Sequence, residues 1–304
     1  MKNIIKTAIV TGAAGFTGYS LTMKLATLGY NVYAIVRPGS EHNNRIIHPN
    51  VKIIEVDYSS YGTLSKIINC ECDYFFHLVW CGGRDDFEIQ MRNIDYSLVT
   101  LEEAHKLGCK RFICTGSQAE YGIQKDIITE DVLPNPINSY GVSKLSAMYL
   151  TKRRAEQLGI GWIWGRIFSL YGKYEPSGRL FSDLIKNMLD GKSMDLSSCR
   201  QFWDYLNVED AADALVALAE KGKNGNIYNI ANGDYKELKW YVEEMKKITF
   251  SRSEILYGDD PKPFISLKPS VDKIMKDTGW KPKIKYNVGV KKQIEFLEKT
   301  SSGQ

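Results

Sequence analysis

Tyr140 and Lys144, four residues apart, are the side chains whose types and spacing suggest chemistry most directly. Residues four apart lie on one face of a helix, so the Lys144 ammonium would lie near the Tyr140 phenol. A nearby positive charge stabilises the phenolate, and this would let Tyr140 give or take a proton at cellular pH. The pair therefore predicts an acid–base site at the start of a helix.

The same tyrosine–lysine spacing occurs at three places, and 18 tyrosines make chance matches expected. The surroundings distinguish the copies. One copy lies in the turn that leaves a predicted strand, and another lies beyond the predicted nucleotide-binding fold. The middle copy alone begins a predicted helix that enters the site. The three pairs are Tyr121 with Lys125, Tyr140 with Lys144, and Tyr235 with Lys239.

Three glycines, Gly12, Gly15 and Gly18, separate a predicted strand at residues 7–10 from a predicted helix at residues 19–28. A second strand is predicted at residues 31–36, so the unit is strand–helix–strand with a right-handed crossover. Glycines allow the tight turn and let the backbone approach a pyrophosphate at the helix N-terminus. The pattern predicts a dinucleotide site; a glycine-rich turn without a ligand is the alternative.

Arg37 follows the second predicted strand, where an NAD site would place an acid for the ribose hydroxyls. A guanidinium suits a 2′-phosphate, so we predict NADP(H) as the cofactor, with NAD(H) as the alternative. Ser40 and Arg45 are candidates for assisting Arg37. The other interpretation of Arg37 is a surface arginine in a loop.

The chain continues with alternating strands and helices that should bring the chemistry to one edge of a parallel sheet. Ser117 stands at the exit of a predicted strand at residues 111–115, and a loop at 81–86 follows a predicted strand at 74–80. Ligands bind at the carboxyl ends of such strands, so Ser117 and Tyr140 are expected to converge. His77 is predicted to be an interior residue. Further strands are predicted at 51–56 and 161–168, and helices at 58–69, 87–107 and 140–155.

The pattern predicts an α/β protein: a Rossmann-type doubly wound parallel sheet with a smaller C-terminal α/β lobe that binds the substrate. The dinucleotide-binding domain is predicted at residues 1–168, with a returning segment at about 205–232. The substrate-binding lobe is predicted at residues 169–204 and 233–304, because the regular alternation weakens after residue 168.

The composition of the 304 residues argues against several classes of protein. Hydrophobic residues make up 43% and charged residues 25%, as in globular proteins with a core. A net charge of +4 without a clustered basic face predicts no nucleic-acid partner, and the apolar runs are too short for a membrane span or a signal peptide. Six cysteines and four histidines show no metal-ligand spacing, so we predict reduced thiols, a cytoplasmic location and no metal site.

These motifs together resemble the extended short-chain dehydrogenase/reductases, the NAD-dependent epimerase/dehydratase family that modifies nucleotide sugars. The resemblance covers residues from about 4 to 300 and is specific to the superfamily, not to one reaction. It rests on Thr11, Gly12, Gly15, Gly18, Asp57, His77, Leu78, Asn93, Ser117, Tyr121, Gly122, Tyr140, Lys144, Arg166, Phe168, Tyr171, Gly172, the stretch 204–210, Asn229, Asn232, Gly233, Gly279, Trp280 and Pro282.

The resemblance implies a role for the matching residues. Tyr140 would exchange a proton with a sugar hydroxyl or ketone, Lys144 would hold the nicotinamide ribose, and Ser117 would hydrogen-bond the reacting oxygen. Hydride would pass between the nicotinamide and the same carbon, usually C4 of a hexose. The implied cofactor-binding residues are Gly12, Ala14, Gly15, Phe16, Thr17, Arg37, Asp57, Tyr58, Leu78, Val79, Tyr140 and Lys144.

The sequence departs from the family pattern at two positions that bind the substrate in many relatives. Trp203 stands where many relatives have an arginine for the substrate phosphate, and Ser169 stands where many have asparagine. Arg179 and Arg200 are the expected substitutes for the missing arginine. The expected substrate-binding residues are Arg84, Gln118, Ser169, Arg179, Arg200 and Trp203.

The family's 4,6-dehydratases carry an Asp–Glu pair directly after the position of Ser117, where this chain has Gln118 and Ala119. We therefore expect an NADPH-dependent reductase acting on a nucleotide-activated 4-keto (6-deoxy) sugar. One alternative is a nucleotide-sugar 4-epimerase with retained cofactor, although many 4-epimerases carry an acid at the position of Arg37. The other is a cofactor-binding regulator without turnover, which would have no need of a proton relay.

Apolar residues at helical spacing in the predicted helices 87–107 and 140–155 leave two interpretations open. In the family the equivalent helices often form a four-helix dimer interface, which would make the protein a homodimer. The same faces could instead pack on the sheet. The residues are Met91, Ile94, Leu98, Leu101, Leu145, Met148, Leu150 and Thr151.

Overall fold

A computed structural model describes residues 5–301 of the protein. The β-strands are β1 (Thr7–Thr11), β2 (Asn31–Val36), β3 (Val51–Glu55), β4 (Tyr74–His77), β5 (Arg111–Ser117), β6 (Gly161–Ile167), β7 (Ser169–Tyr171), β8 (Met194–Leu196), β9 (Phe202–Trp203), β10 (Tyr205–Asn207), β11 (Asn226–Ile230), β12 (Lys236–Glu237) and β13 (Ile255–Tyr257). The α-helices are α1 (Phe16–Thr27), α2 (Leu64–Ile67), α3 (Phe87–Lys106), α4 (Ser139–Leu158), α5 (Leu180–Leu189), α6 (Val208–Lys221), α7 (Leu238–Ile248), α8 (Asp272–Thr278) and α9 (Tyr286–Ser301). Short 3-10 helices occupy Glu41–Arg45, Tyr58–Thr63 and Gln118–Glu120.

Within the described residues, seven strands form one sheet in which all neighbouring pairs are parallel, in the order β3-β2-β1-β4-β5-β6-β11. Helices α1 and α6 pack together on one face, and α3 and α4 pack together on the other. The strand order changes direction between β1 and β4, which is where ligands bind in sheets of this kind. The Rossmann-type doubly wound parallel sheet is confirmed.

Strand β1 shows why the sequence marks this sheet clearly. Ala8 and Val10 enter the core beneath α1 and α6, while Ile9 enters the core on the opposite face, and all three are fully buried. Successive side chains of a strand point to opposite faces. A sheet covered on both faces therefore needs continuous apolar runs.

The C-terminal part of the described chain contains small sheets and a core of its own. Strands pair two by two as β7 with β10, β8 with β13, and β9 with β12. Aromatic rings dominate this core; Tyr171, for example, contacts Phe181, Tyr205 and Tyr286 with ring centroids 4.5 to 6.2 Å apart. Strand β11 returns to the main sheet. The boundaries of the two predicted domains stay a prediction.

The helix predicted at residues 58–69 is wrong in type over its first half. The chain forms the 3-10 helix Tyr58–Thr63, followed by the single turn of α2. The Asp57 carboxylate accepts the Ser59 N–H at 3.0 Å, and the Asp57 carbonyl accepts the Ser60 N–H at 2.9 Å. These local bonds favour the tighter turn over an α-helix.

The strand predicted at residues 74–80 ends at His77, three residues earlier than its apolar run suggests. The next N–H, from Leu78, donates to the Thr11 hydroxyl at 3.1 Å and so turns away from the strand ladder. The segment that follows leaves the sheet and places the Trp80 ring over Lys144 of α4.

The apolar residues of α3 and α4 are predicted either to pack on the sheet or to form a dimer interface. Ile94, Leu101 and Met148 are buried in the core of the protein, whereas Met91 and Leu150 remain exposed. Part of the predicted face therefore packs inward. A homodimer through the exposed part stays a prediction.

In residues 5–301, no helix has the length and apolar character needed to cross a membrane, and no three His, Cys, Asp or Glu side chains are grouped as metal ligands. All six cysteines are free thiols. Burial raises the pKa of the Cys114 thiol to about 12, against the lowering effect of the Lys144 charge. This thiol is therefore protonated and a poor nucleophile at neutral pH.

Asn229 of β11 links segments that are far apart in the chain. Its fully buried carboxamide accepts a hydrogen bond from the Tyr121 hydroxyl at 2.7 Å and donates to the Ile128 carbonyl at 2.9 Å. We predict that Asn229→Ala lowers the free energy of unfolding by about 2–4 kcal/mol, because both buried groups lose a partner. Urea unfolding followed by circular dichroism measures the change.

Asn226→Ala, on the same strand, is the matched control. The Asn226 carboxamide donates to the Asn224 carbonyl in an exposed hydrogen bond. Its loss should change the free energy of unfolding by no more than about 0.5 kcal/mol. Equal losses of stability in the two variants would contradict the linking role of Asn229.

Candidate active site

The glycine turn between β1 and α1 brings backbone segments unusually close together. A Cβ atom built on Gly18 would lie 2.0 Å from the Gly12 carbonyl oxygen, and one built on Gly12 would lie 3.1 Å from the Val79 backbone nitrogen. Gly12 also has a φ of +67°, which favours glycine. Helix α1 starts at Phe16, and the first N–H groups of a helix have no partner within it. This cradle fits the pyrophosphate of a dinucleotide.

The other predicted cofactor residues lie along the same edge of the sheet. Arg37 directly follows β2, and Asp57 lies two residues after β3; both are exposed, and the two strands are neighbours in the sheet. Hydrogen bonds from Ser59 lower the pKa of Asp57, and the Arg37 charge adds to this effect. Ala14 and Tyr58 are buried. Four other predicted cofactor residues are half-buried: Phe16, Thr17, Leu78 and Val79.

His77, at the end of β4, is enclosed beneath this edge. Its ring nitrogens lie 3.1 Å from Thr11 Oγ1 and 3.2 Å from Ser97 Oγ. Burial, assisted by the Lys144 charge, lowers the His77 pKa to about 3. The imidazole is therefore neutral at physiological pH, and its contacts fit the interior role that the sequence predicts.

Ser117 ends β5, and a buried carboxylate fixes the backbone there. Glu120 accepts the Ser117 N–H at 2.8 Å, Trp164 Nε1 at 3.0 Å and Arg166 Nε at 2.7 Å. The side chains of Glu120 and Arg166 are 0% and 1% exposed, so their ion pair is fully enclosed. This network holds the exit of β5 in one conformation.

The Ser117 hydroxyl is oriented by the turn that follows it. It accepts the Ala119 N–H at 3.2 Å and lies 3.2 Å from Gln118 Oε1, to which it donates. Ser117 is buried and Gln118 is half-buried. The hydroxyl therefore lies next to the side chain of a predicted substrate residue.

Helix α4 begins against the same turn. The Asn138 side chain caps the helix by accepting the Gly141 N–H at 2.8 Å. A Cβ atom on Gly141 would lie 2.5 Å from the Ala119 carbonyl oxygen, so glycine permits this close approach. The Tyr140 N–H donates to the Arg84 carbonyl at 2.8 Å. Tyr140 is thus held between the loop after β4 and the exit of β5.

Lys144 lies one helical turn after Tyr140 and is 3% exposed. Its Nζ donates to the Thr115 carbonyl at 2.7 Å and lies 6.0 Å from the centroid of the Tyr140 ring. Thr115 precedes Ser117 by two residues on β5. The structure therefore brings Ser117, Tyr140 and Lys144 to one region of the sheet edge, as the sequence predicts.

Trp80 and Arg84 frame the Tyr140 ring from the loop after β4. The Trp80 ring stands edge-on to Tyr140, with centroids 6.2 Å apart, and the Arg84 guanidinium carbon lies 5.9 Å from the Tyr140 centroid. Arg84 is exposed, which suits its predicted contact with a substrate. Trp80 also lies beside the site. The sequence predicts it to be the last residue of a strand, not a residue near Tyr140.

Two buried side chains of α3 hold this loop. Asn93 accepts the Cys81 N–H at 3.1 Å and donates to the Cys81 carbonyl at 2.9 Å. Gln90 donates to the Gly83 carbonyl at 2.8 Å. The sequence reasoning gave neither residue this role. The sequence pattern that could have revealed these two residues is the helical spacing of polar residues 90, 93 and 97, which lie on the inward face of the helix.

The other two tyrosine–lysine pairs lie elsewhere. Tyr121 is fully buried beneath the Arg166 guanidinium, whose carbon lies 4.3 Å from the Tyr121 centroid. Burial raises the Tyr121 pKa to about 12, against the lowering effect of Arg166. Tyr235 lies before β12 and packs edge-on against Phe202, outside the main sheet.

The predicted substrate residues of the C-terminal part differ in their surroundings. Arg179 is exposed at the N-cap of α5, and Ser169 is half-buried in β7. Arg200 already has an anionic partner, because its Nε donates to Asp260 Oδ1 at 3.1 Å. Trp203 Nε1 is buried and has no hydrogen-bond partner among residues 5–301.

The sequence profile of the NAD dependent epimerase/dehydratase family matches residues 8–231. The protein belongs to this family. The resemblance drawn from the sequence is therefore confirmed, and the protein is an oxidoreductase/epimerase-type enzyme of nucleotide-sugar metabolism.

Several members of the family resemble the chain over nearly its whole length. CDP-abequose synthase of Salmonella muenchen is 27% identical over an alignment of 317 residues, gaps included. The alignment covers 98% of this chain and 100% of that protein. The structure of UDP-glucose 4-epimerase from Thermotoga maritima with UDP-glucose has a TM-score of 0.84 and 26% identity, covering 97% of this chain and 99% of that one. MoeE5 in complex with UDP-glucose and NAD has a TM-score of 0.83 and 25% identity, with the same coverage.

The buried pair of Glu120 and Arg166 gives a stability prediction. We expect Glu120→Ala to lower the free energy of unfolding by about 3–5 kcal/mol, because Arg166 keeps its charge in a buried site without a counter-ion. Urea unfolding measures the loss. Glu156→Ala is the control, since Glu156 and its partner Arg153 are 52% and 72% exposed and should contribute at most about 1 kcal/mol. Similar losses in both variants would refute the claim for Glu120.

Proposed function

We propose that the protein reduces a nucleotide-activated 4-keto (6-deoxy) sugar at C4 with NADPH and that Tyr140 is the proton donor. The observation that carries the proposal is the enclosed Lys144, which donates to the Thr115 carbonyl beside Tyr140 and two residues before Ser117. A charged lysine held next to a phenol and a serine hydroxyl is suited to proton transfer at a carbonyl oxygen.

The residues of the chain share the work in the following way. Tyr140 donates its hydroxyl proton to the oxygen on C4, and Ser117 hydrogen-bonds that oxygen. The Lys144 charge stabilises the phenolate that remains, which regains its proton from solvent. When bound, the reduced nicotinamide supplies the hydride to C4.

The cradle formed by residues 12–18 is proposed to hold the cofactor pyrophosphate, with Asp57, Tyr58, Leu78 and Val79 lining the same edge. Arg37 is proposed to bind the 2′-phosphate of NADPH. The anionic Asp57 lies close enough to Arg37 for their charges to interact, and this attraction offsets part of the Arg37 charge.

The substrate is proposed to lie against Arg84, Gln118, Ser169, Arg179 and Trp203. Gln118 is a neutral amide next to Ser117, and Ala119 has no ionisable group, so these two positions lack the acid and base that removal of water requires. Arg200, whose Nε and Nη2 already donate to Asp260, is the remaining candidate for the substrate phosphate. A homodimer and a cytoplasmic location are part of this proposal.

The runner-up is a nucleotide-sugar 4-epimerase that retains its cofactor. The observation in its favour is the likeness, at 26% identity, to a structure of UDP-glucose 4-epimerase. The same three residues would serve this reaction. The likeness to CDP-abequose synthase instead supports a synthase that yields a nucleotide-linked sugar.

The proposal on the cofactor is tested at Arg37. We expect NADPH to bind about ten- to hundredfold more tightly than NADH, and Arg37→Asp to remove most of the difference, because a charge-assisted hydrogen bond is worth about 1.5–3 kcal/mol. Fluorescence titration of both dinucleotides measures the two affinities. Arg252→Asp, in the described C-terminal part and outside the predicted cofactor set, is the charge-matched control. Equal wild-type affinities for the two dinucleotides would overturn the proposal.

The proposal on chemistry is tested at Tyr140. We expect Tyr140→Phe to lower turnover by about 10² to 10⁴, the usual contribution of one positioned acid, and to leave NADPH affinity nearly unchanged. Tyr235→Phe is the control, because this ring lies outside the main sheet. Tyr121→Phe is a poorer control, since it leaves Asn229 without its hydroxyl partner.

Stoichiometry separates the reductase from the epimerase. With a panel of 4-keto-6-deoxy sugar nucleotides, we expect NADPH absorbance to fall mole for mole with product over many turnovers. An epimerase would interconvert two alcohols with no net change in the cofactor. Epimerisation of a nucleotide hexose, with NADPH untouched by the whole panel, would replace our proposal with the runner-up. NADPH binding without turnover on either substrate type would favour the regulator.

A further inference from the structure

We propose that Trp80 is a positioning residue of the active site and that its indole ring holds the Lys144 ammonium beside Tyr140. The inference rests on the function proposed for Tyr140 and Lys144 and adds a third residue to their arrangement. Trp80 acts through Lys144 and is not assigned contact with the reacting atoms.

The geometry of the contact is that of a cation–π interaction. Lys144 Nζ lies 3.8 Å from the Trp80 ring centroid, well inside the roughly 6 Å limit for this attraction, and tryptophan is the most favourable ring. Lys144 is 3% exposed, so little water competes with the ring. The ammonium therefore has two fixed neighbours, the Thr115 carbonyl and the indole face.

The indole is itself held in place by α3. Trp80 Nε1 donates to Gln90 Oε1 at 2.7 Å, and Gln90 is fully buried and donates to the Gly83 carbonyl. Rotation of the ring would break a hydrogen bond to a buried amide. A continuous set of contacts thus runs from α3 through Gln90 and Trp80 to Lys144, and the same indole stands perpendicular to the Tyr140 ring.

Trp80 could instead contribute only volume, because its ring also packs against the hydrophobic core beneath α3 and α4. Two substitutions separate these roles. Trp80→Phe keeps an aromatic face for the ammonium, and Trp80→Leu keeps apolar bulk without such a face. A packing role predicts similar behaviour of the two variants, whereas a positioning role predicts that only the aromatic one preserves the site.

The first measurement requires no substrate. Protein containing lysine labelled with ¹³C at Cε is studied by NMR, and the Lys144 signal is identified by its loss in Lys144→Arg. The ring current of Trp80 should shift the Lys144 Cε protons upfield in the wild type. The shift should persist in part in Trp80→Phe and vanish in Trp80→Leu. An unshifted wild-type signal would overturn the proposal, whatever the enzyme turns over.

The second measurement is turnover of the 4-keto sugar nucleotide. We expect Trp80→Leu to lower kcat roughly tenfold and Trp80→Phe by no more than about threefold, with KM for the sugar nucleotide unchanged in both. Equal kcat values for the two variants would overturn the positioning role and leave the proposed function intact. If the wild type reduces no sugar in the panel, the proposed function fails, and the wild-type NMR shift still decides whether the Lys144 ammonium lies on the Trp80 ring.

Gln90→Leu provides a second variant in case the Trp80 variants fold poorly. It leaves all the proposed site residues in place and removes the hydrogen-bond partner of the indole. We expect a smaller upfield shift of the Lys144 signal and a roughly threefold loss of kcat, with the thermal midpoint as a check on folding. A wild-type shift together with wild-type kcat would show that Gln90 does not fix the ring and would overturn that step.

Discussion

The site depends on a buried ion pair beneath the exits of two adjacent strands. The two oxygens of Glu120 receive donors from the Ser117 backbone, the Trp164 indole and the Arg166 guanidinium. Burying a carboxylate is costly, and it is tolerated when opposite charge and hydrogen bonds are both supplied, as they are here. Because one donor is the backbone of Ser117, the ion pair sets the conformation of the turn on which helix α4 begins. The positions of Tyr140 and Lys144 follow from that start.

The sequence predicts the features that arise from local periodicity. The strands of the main sheet are visible because both faces are covered, and the glycine turn is visible because the chain cannot otherwise turn so tightly. The Tyr140–Lys144 pair follows from the helical repeat together with its place at the start of a predicted helix that enters the site. Features that depend on distant contacts are different. The end of β4 depends on a hydroxyl 67 residues away, at Thr11, and the partner of Arg200 lies 60 residues away, at Asp260.

In our proposal, the proton relay and most of the substrate contacts lie in different parts of the molecule. The proposed proton relay lies on the parallel sheet and its covering helix α4, where hydrogen bonds fix the Ser117 and Lys144 side chains and the Tyr140 backbone. The substrate residues proposed in the C-terminal part, Ser169, Arg179 and Trp203, lie around small two-stranded sheets and an aromatic core. There Trp203 occupies a position where a charge was expected, and Arg200 is paired with Asp260. In our proposal, a substrate phosphate that reaches Arg200 meets a guanidinium that already has a carboxylate partner, Asp260.

The place of β11 at the edge of the sheet also determines when the protein can be completed during synthesis. Strand β6 ends at Ile167, and β11, its neighbour in the sheet, begins only at Asn226. At about 5–20 residues per second, a ribosome needs roughly 3 to 12 seconds to make the chain between them. If the sheet forms before β11 is made, the nascent protein carries β6 as an unpaired parallel edge during that interval, which can bind a strand from another chain. Tyr121 likewise waits for Asn229, 108 residues later, before the turn behind Ser117 is complete.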